Sequence, residues 1–469
     1  MPTGERTFSD RRAWLPDLTY TNGEFVSGLA LVCRNDGRID SIVSERDLDC
    51  EVIRLSGKAI LPGLVNAHSH AFQRVMRGRT EFRTAMRDSF WTWRNSMYQV
   101  ANRLSPDDIY AASRLAFLEM ALSGITTVGE FHYLHNEPDG SRYADPNLLA
   151  KVVISAAKSV GIRIALLRVA YVRAGFGLEP NAQQARFIET DPQLFLKSMD
   201  DLCSELTNRA DSWVGVAPHS VRAVPFDFLK QVASYAEKQD LPIHIHVAEQ
   251  PAELEACRAE YGWTPVELLN SAGILSHRFT AVHAIHISES EISQLAQTRA
   301  TVCACPTTER NLGDGVVPAD KLFAQGVSIA LGSDSQTQID LLEDARELEY
   351  HLRLTTGQRA VLDPGEGAPR ALAARLFECA TSAGATSLGF DGGILAAGKP
   401  ADFFSIDTQD PSIVGAPTNS LLPEIVFSAG RAAIRDVVVN GRMIVKDGSH
   451  QLAPRILEDF EALQKKLWT

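Results

Sequence analysis

The residues most capable of chemistry are a short His-x-His, His68-Ser69-His70, and a series of polar residues that each follow an apolar run further along the chain. These are Glu130 and His132-Tyr133, His219 and Arg222, His246 and Glu249, His283, and Asp334. In an extended strand, residues two apart share a face, so His68 and His70 can offer two imidazoles to one ion. With His246 and Asp334 arriving from other strands, the set becomes three neutral nitrogens and one carboxylate, which suits Zn²⁺ or Fe²⁺. His244 and His246 lie on one face of the same run. His246 is the better ligand candidate because it is nearer the end of the run and three residues before Glu249, which leaves His244 to the core or to a supporting position. A lone buried histidine is usually a packed core residue. Several at the same end of successive strands are not explained that way.

The elements that must position these residues are visible as short apolar runs alternating with helical periodicity, the pattern of βα units and a parallel sheet. Eight such runs occur: Ala59–Val65, Thr126–Gly129, Ile162–Val169, Trp213–Ala217, Pro242–Val247, Thr280–Ala284, Ala300–Cys305 and Val327–Leu331. The clearest helix, Asp107–Leu122, is opened by Ser105-Pro106 and closed by Gly124. Eight strands with crossovers predict an α/β fold, a (β/α)₈ TIM-like barrel whose chemistry sits at the C-terminal ends of the strands. Both chain ends read differently, with short β-type runs at Leu29–Cys33, Ile39–Val43, Ala401–Ile406 and Asp436–Val439. Asn440-Gly441 before Arg442–Val445 signals a type I′ hairpin. The ends are expected to pair into one small β-sandwich domain. The expected division is residues 1–58 and 391–469 for that domain, including a terminal helix, and 59–390 for the barrel.

Composition narrows the function classes. The chain has 469 residues, 45% of them hydrophobic, which is globular and ample for a large core. Its net charge of −12, with no Lys- or Arg-rich run, argues against a nucleic-acid surface, so an anionic substrate would need locally placed arginines. Seven scattered cysteines do not make a disulfide framework, and the single pair Cys303 and Cys305 lacks the other half of a zinc-thiolate site. The first residues carry charge without an apolar stretch, and no run of about 18 apolar residues occurs, so a cytoplasmic protein without membrane contact is expected.

The segments P-G-x-x-N-x-H-x-H, H-x-x-E, a later His and G-S-D together resemble the amidohydrolase superfamily, over nearly the whole chain. Gly393-Ile394 through Gly398, Ala401 and Asp402 resemble that superfamily's passage from barrel to β domain. A second metal in such enzymes usually needs a carboxylated lysine on the fourth strand, and Trp213–Ser220 has none, which implies one divalent ion. More specific segments are His70-Ala71-Phe72-Gln73-Arg74, Asp88-Ser89-Phe90-Trp91-Thr92-Trp93-Arg94, Glu130-Phe131-His132-Tyr133, Pro218-His219-Ser220-Val221-Arg222 and Asn311-Leu312-Gly313-Asp314-Gly315. These resemble the N-formimino-L-glutamate deiminases of histidine degradation. That resemblance implies metal ligands His68, His70, His246 and Asp334, with Zn²⁺ preferred and Fe²⁺ the alternative. It implies Glu249, His283 and Asp334 as catalytic groups at the reacting water, and substrate contacts from Gln73, Arg94, Tyr133, His219 and Arg222. The seventh loop departs from the family pattern, reading CACPTT before Glu309.

The implied reaction removes ammonia from a formamidine that carries two carboxylates, for which the planar fork of arginine is the matching recognition group. By residue type alone, Arg94 reads as a surface residue beside an aromatic cluster, Arg222 as an ion-pairing residue at a helix start, and Phe90, Trp91 and Trp93 as core. A deaminase of guanine, cytosine or an S-adenosylhomocysteine-like ring, or a chlorohydrolase, would share the metal set but prefer amide and aromatic contacts. A non-enzymatic barrel scaffold should lack some metal ligands, and none is missing here. A small-molecule substrate with carboxylates and a homodimer are expected.

Overall fold

The computed structural model describes residues 11–82, 89–207, 209–365 and 367–469. Two sheets organise the chain. The larger is a run of eight parallel strands in sequence order: β6 (Leu64–Ser69), β7 (Ile125–His132), β8 (Arg163–Ala170), β9 (Ser212–Pro218), β10 (Ile243–Val247), β11 (Phe279–His283), β12 (Thr301–Ala304) and β13 (Ser328–Leu331). Nearly every residue of these strands is buried, as expected when a parallel sheet is covered on both faces. A bridge between Ser69 and Asp334 joins the first strand to the loop after the last and all but closes the barrel.

The second sheet takes strands from both chain ends: β1 (Arg11–Thr21), β2 (Glu24–Ser27), β3 (Leu29–Arg34), β4 (Ile39–Ser44) and β5 (Glu51–Pro62) from one, and β14 (Phe403–Asp407), β15 (Ile434–Val439) and β16 (Arg442–Val445) from the other. Alternation along β1 sends Trp14 into one small core with Leu31 and Phe403, and Ala13 and Leu15 into another with Ala30 and Val32, so the sheet is packed on two faces. Asn440 and Gly441 both have positive φ, 55° and 69°, the requirement of a type I′ turn, and they connect β15 to β16 as expected.

One apolar run divides differently from its appearance. Ala59–Val65 is not one barrel strand: Ala59–Pro62 completes β5 in the small sheet, pairing with Phe403–Ile406, and the barrel begins only at Leu64. The break falls at Gly63, where an added Cβ would lie 2.2 Å from the Thr126 hydroxyl, so the chain crosses between sheets at a point that only glycine fits.

Arg163, the first residue of β8 and 2% exposed, ties the two sheets together at the end of the barrel away from the strand C-termini. Its Nε and Nη2 donate to the two carboxylate oxygens of Asp402 at 2.6 and 3.1 Å, and Nη2 also donates to Asn440. The predicted helix appears as Pro106–Leu122, with Ser105 and Asp108 forming a capping box. Among the described residues no helix is long and apolar enough to cross a membrane.

Candidate active site

The C-terminal ends of the barrel strands are held in unusual backbone conformations. Ala248 just after β10, His283 at the end of β11 and Asp334 after β13 have φ of 51°, 70° and 46°. Each such conformation costs about 1–3 kcal/mol for a residue with a Cβ, and such outliers concentrate where side-chain aim matters. Backbone bonds fix the register between the first and last strands: His70 N–H donates to the Asp334 carbonyl at 3.1 Å, and Asp334 N–H to the His68 carbonyl at 3.0 Å. Beneath them Asn66, Ser333, Gln336, Ser69 and Glu130 form a continuous buried hydrogen-bond chain. Gly332 allows the approach, since a Cβ there would meet His68 Cβ at 2.7 Å.

The four expected ligands converge. His68 Nε2 lies 3.2 Å from both His70 Nε2 and His246 Nε2, and Asp334 Oδ1 is 3.4 Å from the first and 3.2 Å from the second. The ligand atoms of all four lie within 4.8 Å of one another. His70 Nδ1–H donates to the Phe131 carbonyl at 2.9 Å, and His246 Nδ1–H to the His219 carbonyl at 3.0 Å. A carbonyl can only accept, so both rings carry their proton on Nδ1 and turn an Nε2 lone pair inward, the arrangement that orients a metal-ligating histidine. Burial holds His68 down at about 3, and burial with the neighbouring histidines holds His246 well below its ordinary value, so both are neutral donors. Burial pushes Asp334 up, but His68 and His70 outweigh it and keep the carboxylate well below the ordinary range. Converging acceptors of three nitrogens and one oxygen fit a divalent cation.

Glu249 and His283 stand beside this cluster. Glu249 Oε1 lies 3.7 Å from His283 Nε2, which in turn is 3.9 Å from Asp334 Oδ2. Burial raises the Glu249 carboxyl, against the pull of His283 and Arg222. The far nitrogen of His283 is held by a residue the motifs did not assign: Glu309, 1% exposed on the helix Pro306–Leu312, accepts from His283 Nδ1 at 3.2 Å and from Cys305 N–H at 2.8 Å. The unusual CACPTT lead-in therefore delivers a supporting carboxylate. The only legible signal for it was an acidic residue one turn into a helix that starts directly after a barrel strand. His283, Cys305 and Glu309 also cluster within 4.8 Å. There, however, Glu309 already accepts two hydrogen bonds, and burial keeps the Cys305 thiol well above its ordinary pKa, so these groups suit a structural role.

Every expected substrate contact reaches one pocket, which opens over the cluster: Gln73, Arg94, Tyr133, His219 and Arg222 line it together with His70, His246, Glu249, His283 and Asp334. Gln73 Nε2 donates to the Tyr133 hydroxyl at 2.7 Å, leaving Gln73 Oε1 without a hydrogen-bond partner. Arg94 and Arg222 are not the surface and ion-paired residues their types suggested. Neither forms a salt bridge among the described residues, and Arg94 Nε and Nη1 and Arg222 Nε are buried donors without an acceptor. Phe90, Trp91 and Trp93 are more than core. Phe90 and Trp93 line the pocket, and Trp91 lies under both guanidinium groups. Tyr98 and Tyr171, joined hydroxyl to hydroxyl at 2.9 Å, were not expected and complete the wall. His244 is buried away from the pocket, bonded to the Ser387 carbonyl at 2.8 Å. Glu130 supports Ser69 and the Ala71 N–H rather than facing the pocket. Asp88 lies outside the described residues.

A parallel eight-stranded barrel with a His-x-His, a third histidine and an aspartate at its strand ends, and a second sheet built from both termini, defines the class of metal-dependent barrel hydrolases. Residues 59–444 match the amidohydrolase family, and the chain belongs to it; it is a hydrolase acting on C–N bonds. The chain is 38% identical over 413 residues to the formimidoylglutamate deiminase of Pseudomonas aeruginosa, covering 88% of this chain and 90% of that protein. It is 30% identical over 400 residues to a 5-methylthioadenosine/S-adenosylhomocysteine deaminase of Pelotomaculum thermopropionicum, covering 83% and 81%. Among solved structures it resembles an amidohydrolase from Brucella melitensis, with a TM-score of 0.90, 35% identity, and coverage of 98% of this chain and 100% of that one.

Proposed function

We propose that the protein hydrolyses N-formimino-L-glutamate to N-formyl-L-glutamate and ammonia, a step of histidine degradation, with one divalent ion, Zn²⁺ in preference to Fe²⁺, held by His68, His70, His246 and Asp334. The observation that carries the substrate class is the pair Arg94 and Arg222. Two guanidinium groups on one pocket wall, with buried unpaired donors at Arg94 Nε and Nη1 and Arg222 Nε, call for carboxylate oxygens, because an unsatisfied buried donor costs about 1–3 kcal/mol. A neutral nucleoside would leave that demand unmet. The likeness to the Pseudomonas deiminase supports the same reading.

When bound, the ion supplies Lewis acidity that brings the pKa of a water toward about 7. The chain's residues do the rest. Arg94 and Arg222 hold the two carboxylates, and Gln73, Tyr133 and His219 orient the formimino group over the four-residue cluster. Water oxygen adds to the sp² carbon while Glu249 takes its proton. His283, fixed through Nδ1 by Glu309, hydrogen-bonds the attacking oxygen, and Asp334 assists in accepting its proton. Glu249 then returns that proton to the amidine's terminal nitrogen, the oxygen's second proton follows by way of Asp334 as the C=O double bond forms, the C–N bond to that nitrogen breaks, and ammonia leaves with the formyl group remaining on glutamate. Product analysis by NMR tests this: N-formylglutamate with equimolar ammonia is expected, and glutamate with formamide would place the cleavage at the other C–N bond.

A further inference from the structure

The two arginines of the pocket share a bed that itself stays outside it. Arg94 Cζ lies 4.5 Å and Arg222 Cζ 5.5 Å from the centroid of the Trp91 ring, with Arg94 also 5.6 Å over Tyr98 and Arg222 6.0 Å over Phe90. Trp91 and Arg94 are three residues apart on the helix Phe90–Ala101 and so lie on one side of it, whereas Arg222 comes from the turn after β9. Phe90 meets the Trp91 ring edge-on at 5.1 Å and 85°, fixing its plane. Two cations brought together on one wall repel; Glu253 and Glu249 attract Arg222 from a distance, but neither arginine forms an ion pair with a carboxylate among the described residues. The face of the Trp91 indole, with its negative quadrupole, attracts both.

The geometry points to Trp91 as a positioning residue for dianion recognition: its indole holds Arg94 and Arg222 side by side without occupying their donors, so the forks stay free for the carboxylates of the substrate. This inference rests on the proposed dicarboxylate substrate. A carboxylate used to neutralise the same pair would compete with substrate for the same hydrogen bonds, whereas a ring attracts the charge and leaves the N–H groups available.

The test is the binding of glutarate, a five-carbon dicarboxylate, to the metal-loaded protein by titration calorimetry, with metal content and melting temperature checked for each variant. Trp91→Leu should weaken glutarate binding by on the order of 3- to 30-fold, and Trp91→Phe, which keeps a weaker ring face, by less. In an Arg94→Lys background the further loss from Trp91→Leu should shrink, because Lys lacks the planar group that stacks on the ring. Equal binding by wild type and Trp91→Leu overturns the inference while leaving the substrate reading intact. An undiminished Trp91→Leu loss in the Arg94→Lys background also overturns it, since the effect would then not pass through Arg94. Failure of wild type to bind glutarate at all would overturn the dicarboxylate reading and, with it, the role given to Trp91.

Discussion

Replacing Glu249 with Gln isolates proton transfer from everything else the site does. Glu249 is 7% exposed, and its main-chain N–H is anchored by Glu253 Oε2 at 3.2 Å, so the isosteric amide should sit where the carboxylate does. It is not one of the four converging donors, so metal content should be unchanged. What disappears is a base able to accept a proton and return it, a role worth about 10²–10⁴ in rate, and kcat should fall by that factor. The charge change has a sign of its own. Glu249 is a negative neighbour of Arg222, and its removal leaves the pocket more positive, so KM for a dianionic substrate should hold or fall. Steady-state ammonia release, paired with elemental analysis of the same preparation, reads all three quantities. A kcat within tenfold of wild type together with a raised KM would make Glu249 a binding residue and place the proton transfer elsewhere.

His68→Ala or Asp334→Ala should lose the ion and activity and lower the melting temperature, because an ion bound only by the folded chain stabilises it; elemental analysis of wild type should find one ion per chain, and two tightly held ions would contradict the single cluster. Arg94→Lys and Arg222→Lys should each cost roughly 30- to 1,000-fold in kcat/KM toward the dicarboxylate, since a point cation cannot reproduce a two-pronged contact, with little further loss toward a mono-acid analogue; parallel losses for both substrates would remove the carboxylate clamp. Burial, opposed by Arg222, raises the Glu253 carboxyl from 4.5 to about 7. The folded state therefore holds this proton more tightly than the unfolded state: the stability it contributes is complete below about pH 4.5 and lost as pH rises through about 7, by at most about 3 kcal/mol. Glu253→Gln should accordingly gain in melting temperature relative to wild type between pH 5 and pH 8, and a pH-independent difference would show that Glu253 does not titrate in this way.

The barrel was legible because parallel strands buried on both faces leave uninterrupted apolar runs, and the metal cluster because its members end those runs. The crossing at Gly63 was hidden for the same reason: residues on both sides are apolar, and nothing local separates the last residues of β5 from the first of β6. β1 escaped notice because RRAWLPDLTYT mixes charge, apolar residues and Pro16; its pairing with β5 shifts register between Pro16 and Leu18, an irregularity of the kind that accommodates a strand proline. The supporting residues were least legible. Glu309 acts through His283, 26 positions earlier, and Trp91, on a helix, meets Arg222 from the turn after β9, so neither contact leaves a period or spacing in the sequence. The free state of the arginines was equally invisible, since whether a cation is paired depends on what the fold brings near it.

The most direct test of the account is selectivity. The ratio of kcat/KM for N-formimino-L-glutamate to that for S-adenosylhomocysteine, measured by ammonia release with the metal-loaded wild-type protein, should exceed about 10³, the discrimination expected when buried donors are left unpaired by the wrong substrate. A ratio near or below one would contradict a pocket built for two carboxylates and assign the two arginines to another partner.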